Sequence, residues 1–122
     1  MIKLLYIALG GAFGSVARYG VGAAMLRNVP SAVNFPWGTL AVNVIGGFLI
    51  GTCVNAVPRD HQLWYLIVTG FLGGFTTFSA FSLETVSMLR SQQYAYALAY
   101  VSLSVILSFA AVLAGMQVKV NV

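Results

Sequence analysis

Charged side chains are so sparse in this sequence that they mark where the chain can meet water. Lys3, Arg18, Arg27, Arg59, Asp60, Glu84, Arg90 and Lys119 are the whole set in 122 residues, 7% of the chain, against roughly 25% in ordinary soluble domains. A bilayer core takes about 20 apolar residues per helix. The intervals between charges, with the turn residues, therefore predict four spans near 4–26, 37–57, 63–89 and 94–118. The expected fold is an all-α membrane protein, a single four-helix transmembrane domain over residues 1–122. Its loops, Arg27 to Pro36, Pro58 to Gln62 and Arg90 to Gln93, are short enough to make successive helices antiparallel neighbours. The net charge of +4 is scattered, not gathered into a basic patch, so no nucleic-acid partner is expected. The lone Cys53 sits inside an apolar span and reads as a small packing residue.

Lys3, Arg59 and Lys119 fall on one side of the membrane and Arg27 and Arg90 on the other. Three against two is hardly a bias under the positive-inside rule. Insertion in both orientations follows, and an antiparallel, dual-topology homodimer is the economical assembly. A weak bias corrected by Arg18 or by partner proteins is the alternative. Glycine is abundant, 13 residues or about 11%, against an average near 7%. Gly10 with Gly14, and Gly47 with Gly51, form small-xxx-small pairs that let helices approach closely, either within one subunit or between two.

Polar residues inside the spans are the candidates for function. Thr39, Asn43, Gly47 and Gly51 recur every four residues on one narrow face of the second span. An amide in hydrocarbon must be bonded, so Asn43 either joins two helices or faces water and a solute. Tyr100, Ser104 and Ser108 form a hydroxyl stripe along the fourth span, suited to a wet path or a helix contact. In the third span, Gly70-Phe71-Leu72-Gly73-Gly74-Phe75-Thr76-Thr77-Phe78-Ser79-Ala80-Phe81-Ser82 is poor helix at its centre. Adjacent glycines followed by two threonines favour a break near mid-membrane, tolerated where protein or an aqueous cavity satisfies the freed backbone. Freed carbonyls are hard oxygen ligands for a small cation; a simple packing kink is the plainer account. Phe78 and Phe81 stand three apart on one side beyond the break. They either face lipid or core, or turn their positive ring edges toward a small anion. Arg18 and Glu84 lie toward the same membrane side, which allows either an ion pair or a positive vestibule at Arg18.

Three segments carry a family resemblance: Gly14-Ser15-Val16-Ala17-Arg18-Tyr19, Gly38-Thr39-Leu40-Ala41-Val42-Asn43, and Gly73-Gly74-Phe75-Thr76-Thr77-Phe78-Ser79-Ala80-Phe81. Over essentially its whole length the chain resembles the Fluc, or CrcB, fluoride channels of microbes. The resemblance implies dual-topology dimers in the cell (inner) membrane, with two antiparallel fluoride pores lined by both subunits. It also implies a structural sodium ion at the dimer centre, held by the backbone carbonyls of Gly73 and Thr76. By motif position the pore residues are Asn43, Phe78, Phe81, Thr39, Ser79, Tyr100, Ser104 and Ser108, with Arg18 in the vestibule. Ala80 departs from the pattern, standing where a threonine is common.

The implied activity is passive fluoride export that lowers fluoride toxicity. Glu84 is the only carboxylate within a span and no phosphate-binding loop is present, so nothing in the sequence couples transport to energy. The rival with four short spans, a small multidrug-type proton-coupled exporter, needs a first-span carboxylate, and this first span has Arg18 and no acid. A non-transporting membrane assembly subunit, its polar stripes serving helix contacts, is the other alternative. An enzyme is not expected, since no cluster of His, Asp or Cys offers a nucleophile, base or metal site.

Overall fold

The computed structural model describes residues 1–29 and 35–120. Helix α1 (Ile2–Asn28) is followed by α2 (Trp37–Ala56). A π-helical stretch, Trp64–Leu72, then runs into one turn of α-helix, α3 (Gly73–Phe75), and the chain continues as α4 (Phe78–Arg90) and α5 (Tyr94–Gln117). These elements make four helices long and apolar enough to cross a membrane: Ile2–Asn28, Trp37–Ala56, Trp64–Arg90 and Tyr94–Gln117. The ends fall within two residues of the expected spans, and no described residue lies in a strand. The middle of the first expected loop and the last two residues lie outside the described residues.

Glycine decides which helices touch. A Cβ on Gly10 would collide with the Leu66 carbonyl, and one on Gly14 with the Phe71 carbonyl, so α1 lies directly on the backbone of the third span. On α2, Gly47 would stand 3.0 Å from the Ser108 carbonyl and Gly51 would collide with that of Val112, which seats α2 on α5. Both small-xxx-small pairs therefore serve packing within one chain. Dispersion contacts at this backbone approach replace the hydrophobic effect, which gives helices in lipid no net attraction. A small core of Leu40, Met88, Ala97 and Tyr100, flanked by Phe35, Val44 and Phe81, fills the space between α2, α4 and α5. No span is more than 28% buried within the chain. Side chains such as Phe13, Val16, Leu98, Ile106 and Phe109 are left facing outward, as a membrane-embedded surface requires.

The third span breaks, but not at its glycines. Gly73 and Gly74 are helical, while Thr76 (φ −86°, ψ 156°) and Thr77 (φ −150°, ψ 125°) are extended. The glycines are needed for close approach: a Cβ on Gly74 would stand 2.6 Å from the Gly11 carbonyl. The β-branched threonines accept extended backbone readily. Thr77 then caps α4, its Oγ1 accepting from Ala80 N–H at 3.1 Å, and so supplies an acceptor for one of the orphan donors of the new helix.

Candidate functional site at the third-span break

Breaking a helix frees carbonyls on one side of the break and N–H groups on the other, and in lipid each needs a partner. Asn43, on α2, meets this need at Thr77. Its Nδ2 donates to the Thr77 carbonyl at 3.0 Å, and Thr77 N–H donates to its Oδ1 at 2.8 Å. In a continuous helix Thr77 N–H would have gone to the Gly73 carbonyl, and Ala80 N–H to that of Thr76. Their diversion to Asn43 and to the Thr77 hydroxyl leaves the Gly73 and Thr76 carbonyls without their helical donors. The carbonyl of Gly74 accepts instead from Arg18 Nε at 3.1 Å. Thr76 Oγ1 donates back to the Leu72 carbonyl at 2.9 Å, and its methyl is pressed against Gly46, where any Cβ would collide with it.

A cavity of about 300 Å³ opens beside this break, lined by Asn43, Thr76, Thr77, Phe78, Phe81, Ser104, Val105, Ser108 and Phe109. Five side chains expected from the sequence to line a pore, Asn43, Phe78, Phe81, Ser104 and Ser108, thus meet at one place from three different helices. Phe78 and Phe81 are neighbours, ring centroids 5.6 Å apart and planes inclined by 45°. Phe78 stands 79% exposed, whereas Phe81 is inserted against Tyr100 at 5.2 Å. Ser104 is 6% exposed, and its Oγ has no hydrogen-bond partner among the described residues. A hydroxyl buried without a partner costs about 1–3 kcal/mol. It is an unpartnered donor, among the described residues, just beneath the wall of a largely apolar cavity.

The remaining polar residues fall elsewhere. Thr39 and Tyr100 are not on the cavity wall; they hold Glu84, with Thr39 Oγ1 donating to Oε1 at 2.8 Å and the Tyr100 hydroxyl to Oε2 at 2.7 Å. Tyr100 is fully buried in making this contact. The Arg18–Glu84 pair allowed by the sequence does not form among the described residues. Each side chain has a nearer partner, Arg18 a free carbonyl and Glu84 two hydroxyls. Ser79, in the first turn of α4, is exposed and shares a hydrogen bond of 3.2 Å with the Thr77 hydroxyl. Thr39 and Glu84 line a second, larger cavity of about 680 Å³ with Tyr19, Phe35 and Trp37. Sequence reasoning missed the double role of Thr77 as cap and as backbone partner of Asn43. A Thr three residues before a helix N–H is a capping signal, but it becomes legible only once the break is placed. The Thr39–Glu84–Tyr100 triad was equally hidden, because it joins three helices.

Among the described residues no three His, Cys, Asp or Glu side chains gather as a metal site. The two carbonyls released at Gly73 and Thr76 are hard neutral donors that fit a small alkali cation. One chain offers two of them, too few to replace a hydration shell alone. A second copy across a twofold axis would double the number.

Four membrane-crossing helices, the third of them interrupted beside a cavity lined by phenyl rings, an amide and hydroxyls, define a multi-pass membrane protein with a broken-helix core. The sequence pattern of the family described as "CrcB-like protein, Camphor Resistance (CrcB)" matches residues 5–116, and the chain belongs to that family. Among its relatives, a protein of Rhizobium johnstonii named "Fluoride-specific ion channel FluC" is 50% identical, covering 97% of this chain and 96% of its own. Proteins with the same name from Hahella chejuensis and Caulobacter vibrioides are 53% and 45% identical, covering 92% and 97% of this chain and 90% and 95% of theirs.

Proposed function

We propose that this chain is a passive, fluoride-selective ion channel that lets fluoride leave the cytoplasm through the inner membrane, working as an antiparallel homodimer with two pores. The observation that carries this reading is the cavity at the break, where Asn43, Phe78, Phe81, Ser104 and Ser108 converge and the buried Ser104 hydroxyl has no partner among the described residues. The names of the relatives point the same way.

Fluoride is small and strongly hydrated, so its path must replace water with several weak donors and not one deep site. The Ser104 and Ser108 hydroxyls offer O–H donors along α5, and the second Nδ2 hydrogen of Asn43 has no partner among the described residues once the first is given to Thr77. Phe78 and Phe81 close the other wall, where ring edges offer positive charge that attracts an anion without holding it as an ammonium would. Ser79 shares a hydrogen bond with the Thr77 hydroxyl on this wall, while Thr39 and Tyr100 stand behind it and hold Glu84. Arg18 lies behind the cavity wall, where its Nε donates to the Gly74 carbonyl at the break.

The carbonyls of Gly73 and Thr76, paired with those of a second copy, would hold a structural sodium ion on the twofold axis. When bound it supplies fixed positive charge near the middle of an anion path. Exchange of protons for cations, as in a multidrug-type exporter, finds no acid in α1, and Glu84 is already engaged by two hydroxyls. The test is ion efflux from liposomes containing the purified protein. Fluoride should leave rapidly and chloride should be retained; equal release of both, or of neither, would refute the reading.

A further inference from the structure

Helix α1 presents Gly11, Ser15 and Arg18 on one face, and Gly74 lies against it: a Cβ there would stand 2.6 Å from the Gly11 carbonyl and 3.1 Å from Ser15 Oγ. Side chains on a helix lean toward its N-terminus, so the partly buried Arg18 reaches back to the level of that contact. It donates there through Nε, at 3.1 Å, to the Gly74 carbonyl. In an unbroken helix that carbonyl would accept from Phe78 N–H, but α4 begins only at Phe78, after two extended residues. A guanidinium at this point also meets the negative end of the half-helix that finishes at Phe75. The residue that follows the break, Phe78, lines the cavity.

We propose that Arg18 is a positioning residue for the ion path: its Nε–H stands in for the helical donor lost at the Gly74 carbonyl, and so fixes how the third span breaks and where Phe78 stands. The bond, not the charge, is what the path requires of Arg18. This differs from a vestibule cation that gathers anions, for which any positive side chain would serve. Only its flux readout rests on the fluoride-channel reading.

Three substitutions separate donor from charge. In Arg18→Gln the amide Nε2 is as many bonds from Cα as the arginine Nε, so the donor is kept and the charge lost. Arg18→Lys keeps the charge but places a methylene at that point, and Arg18→Met has neither. Fluoride efflux through the Gln variant should stay within about threefold of wild type, with fluoride still preferred over chloride. The Lys and Met variants should lose about tenfold or more, the factor carried by one hydrogen bond of ordinary net strength. Unfolding midpoints should follow the same order. A Gln variant that assembles and conducts while Lys and Met fail to assemble supports the proposal equally. It is overturned if Lys conducts like wild type, whether or not Gln does, if all three conduct like wild type, or if Gln fails with the others. A wild-type protein without fluoride efflux would instead refute the channel reading, and the order of unfolding midpoints would then decide this inference alone.

Discussion

Asn43→Leu removes the pair of hydrogen bonds that hold the break while keeping a side chain of similar size. The bonds are Nδ2 to the Thr77 carbonyl at 3.0 Å and Thr77 N–H to Oδ1 at 2.8 Å. Interhelical hydrogen bonds in membranes are worth about 0.6 kcal/mol each on average and up to about 1.7. Two of them give an expected loss of about 1–3 kcal/mol, with the upper half favoured because both groups left behind are backbone atoms away from bulk water. A structural change should accompany it. With its acceptor gone, Thr77 N–H is free to return to the Gly73 carbonyl, so the break closes toward continuous helix and the carbonyl proposed for the cation is withdrawn. The assay is unfolding in mixed micelles followed by circular dichroism, with amide hydrogen exchange at Thr77 as the local probe. If stability and Thr77 exchange both match wild type, Asn43 does not hold the break and the reasoning fails.

Phe78→Ile and Phe81→Ile keep apolar bulk but remove the positive ring edge. Fluoride efflux should fall sharply while the protein still assembles, and wild-type rates for both would remove the rings from the path. Ser104→Ala deletes a buried hydroxyl with no partner among the described residues. Stability should hold or rise by up to about 1 kcal/mol while fluoride efflux drops, and a clear loss of stability would mean that the hydroxyl is bonded after all. Single cysteines at either end of the chain should be labelled from both sides of the membrane, since Lys3, Arg59 and Lys119 scarcely outweigh Arg27 and Arg90. Labelling from one side only would end the antiparallel assembly. High-resolution density between the Gly73 and Thr76 carbonyls of two copies should show an ion at sodium–oxygen distances, and a water at hydrogen-bond distances throughout would count against it.

The spans were legible because charge spacing and hydropathy act locally: Arg27, Arg59 and Arg90 lie at or beside span ends in the sequence and in the fold. A break in the third span was equally legible from its composition. Its placement was not, because glycine serves two purposes that look alike in sequence. Gly73 and Gly74 stay helical, Gly74 being required for contact with α1, while the threonines, which can cap and extend, take the break. The small-xxx-small pairs showed that backbones approach, but only the fold showed that both approaches are within one chain. Asn43, Phe78, Phe81, Ser104 and Ser108 were selected one by one as polar or aromatic exceptions, and their convergence depends on how α2, α4 and α5 pack. The Arg18–Glu84 pairing failed for a related reason: formal charge predicts attraction in sequence, whereas a freed carbonyl and two hydroxyls were the partners within reach.

The central claim is tested most directly by the reversal potential of the wild-type protein in a planar bilayer with opposed fluoride and chloride gradients. A passive fluoride-selective channel predicts a reversal potential that follows the fluoride gradient, about 59 mV for each tenfold step in concentration, and does not move when pH is changed on one side. A potential that follows chloride, stays near zero or shifts with the proton gradient would contradict it.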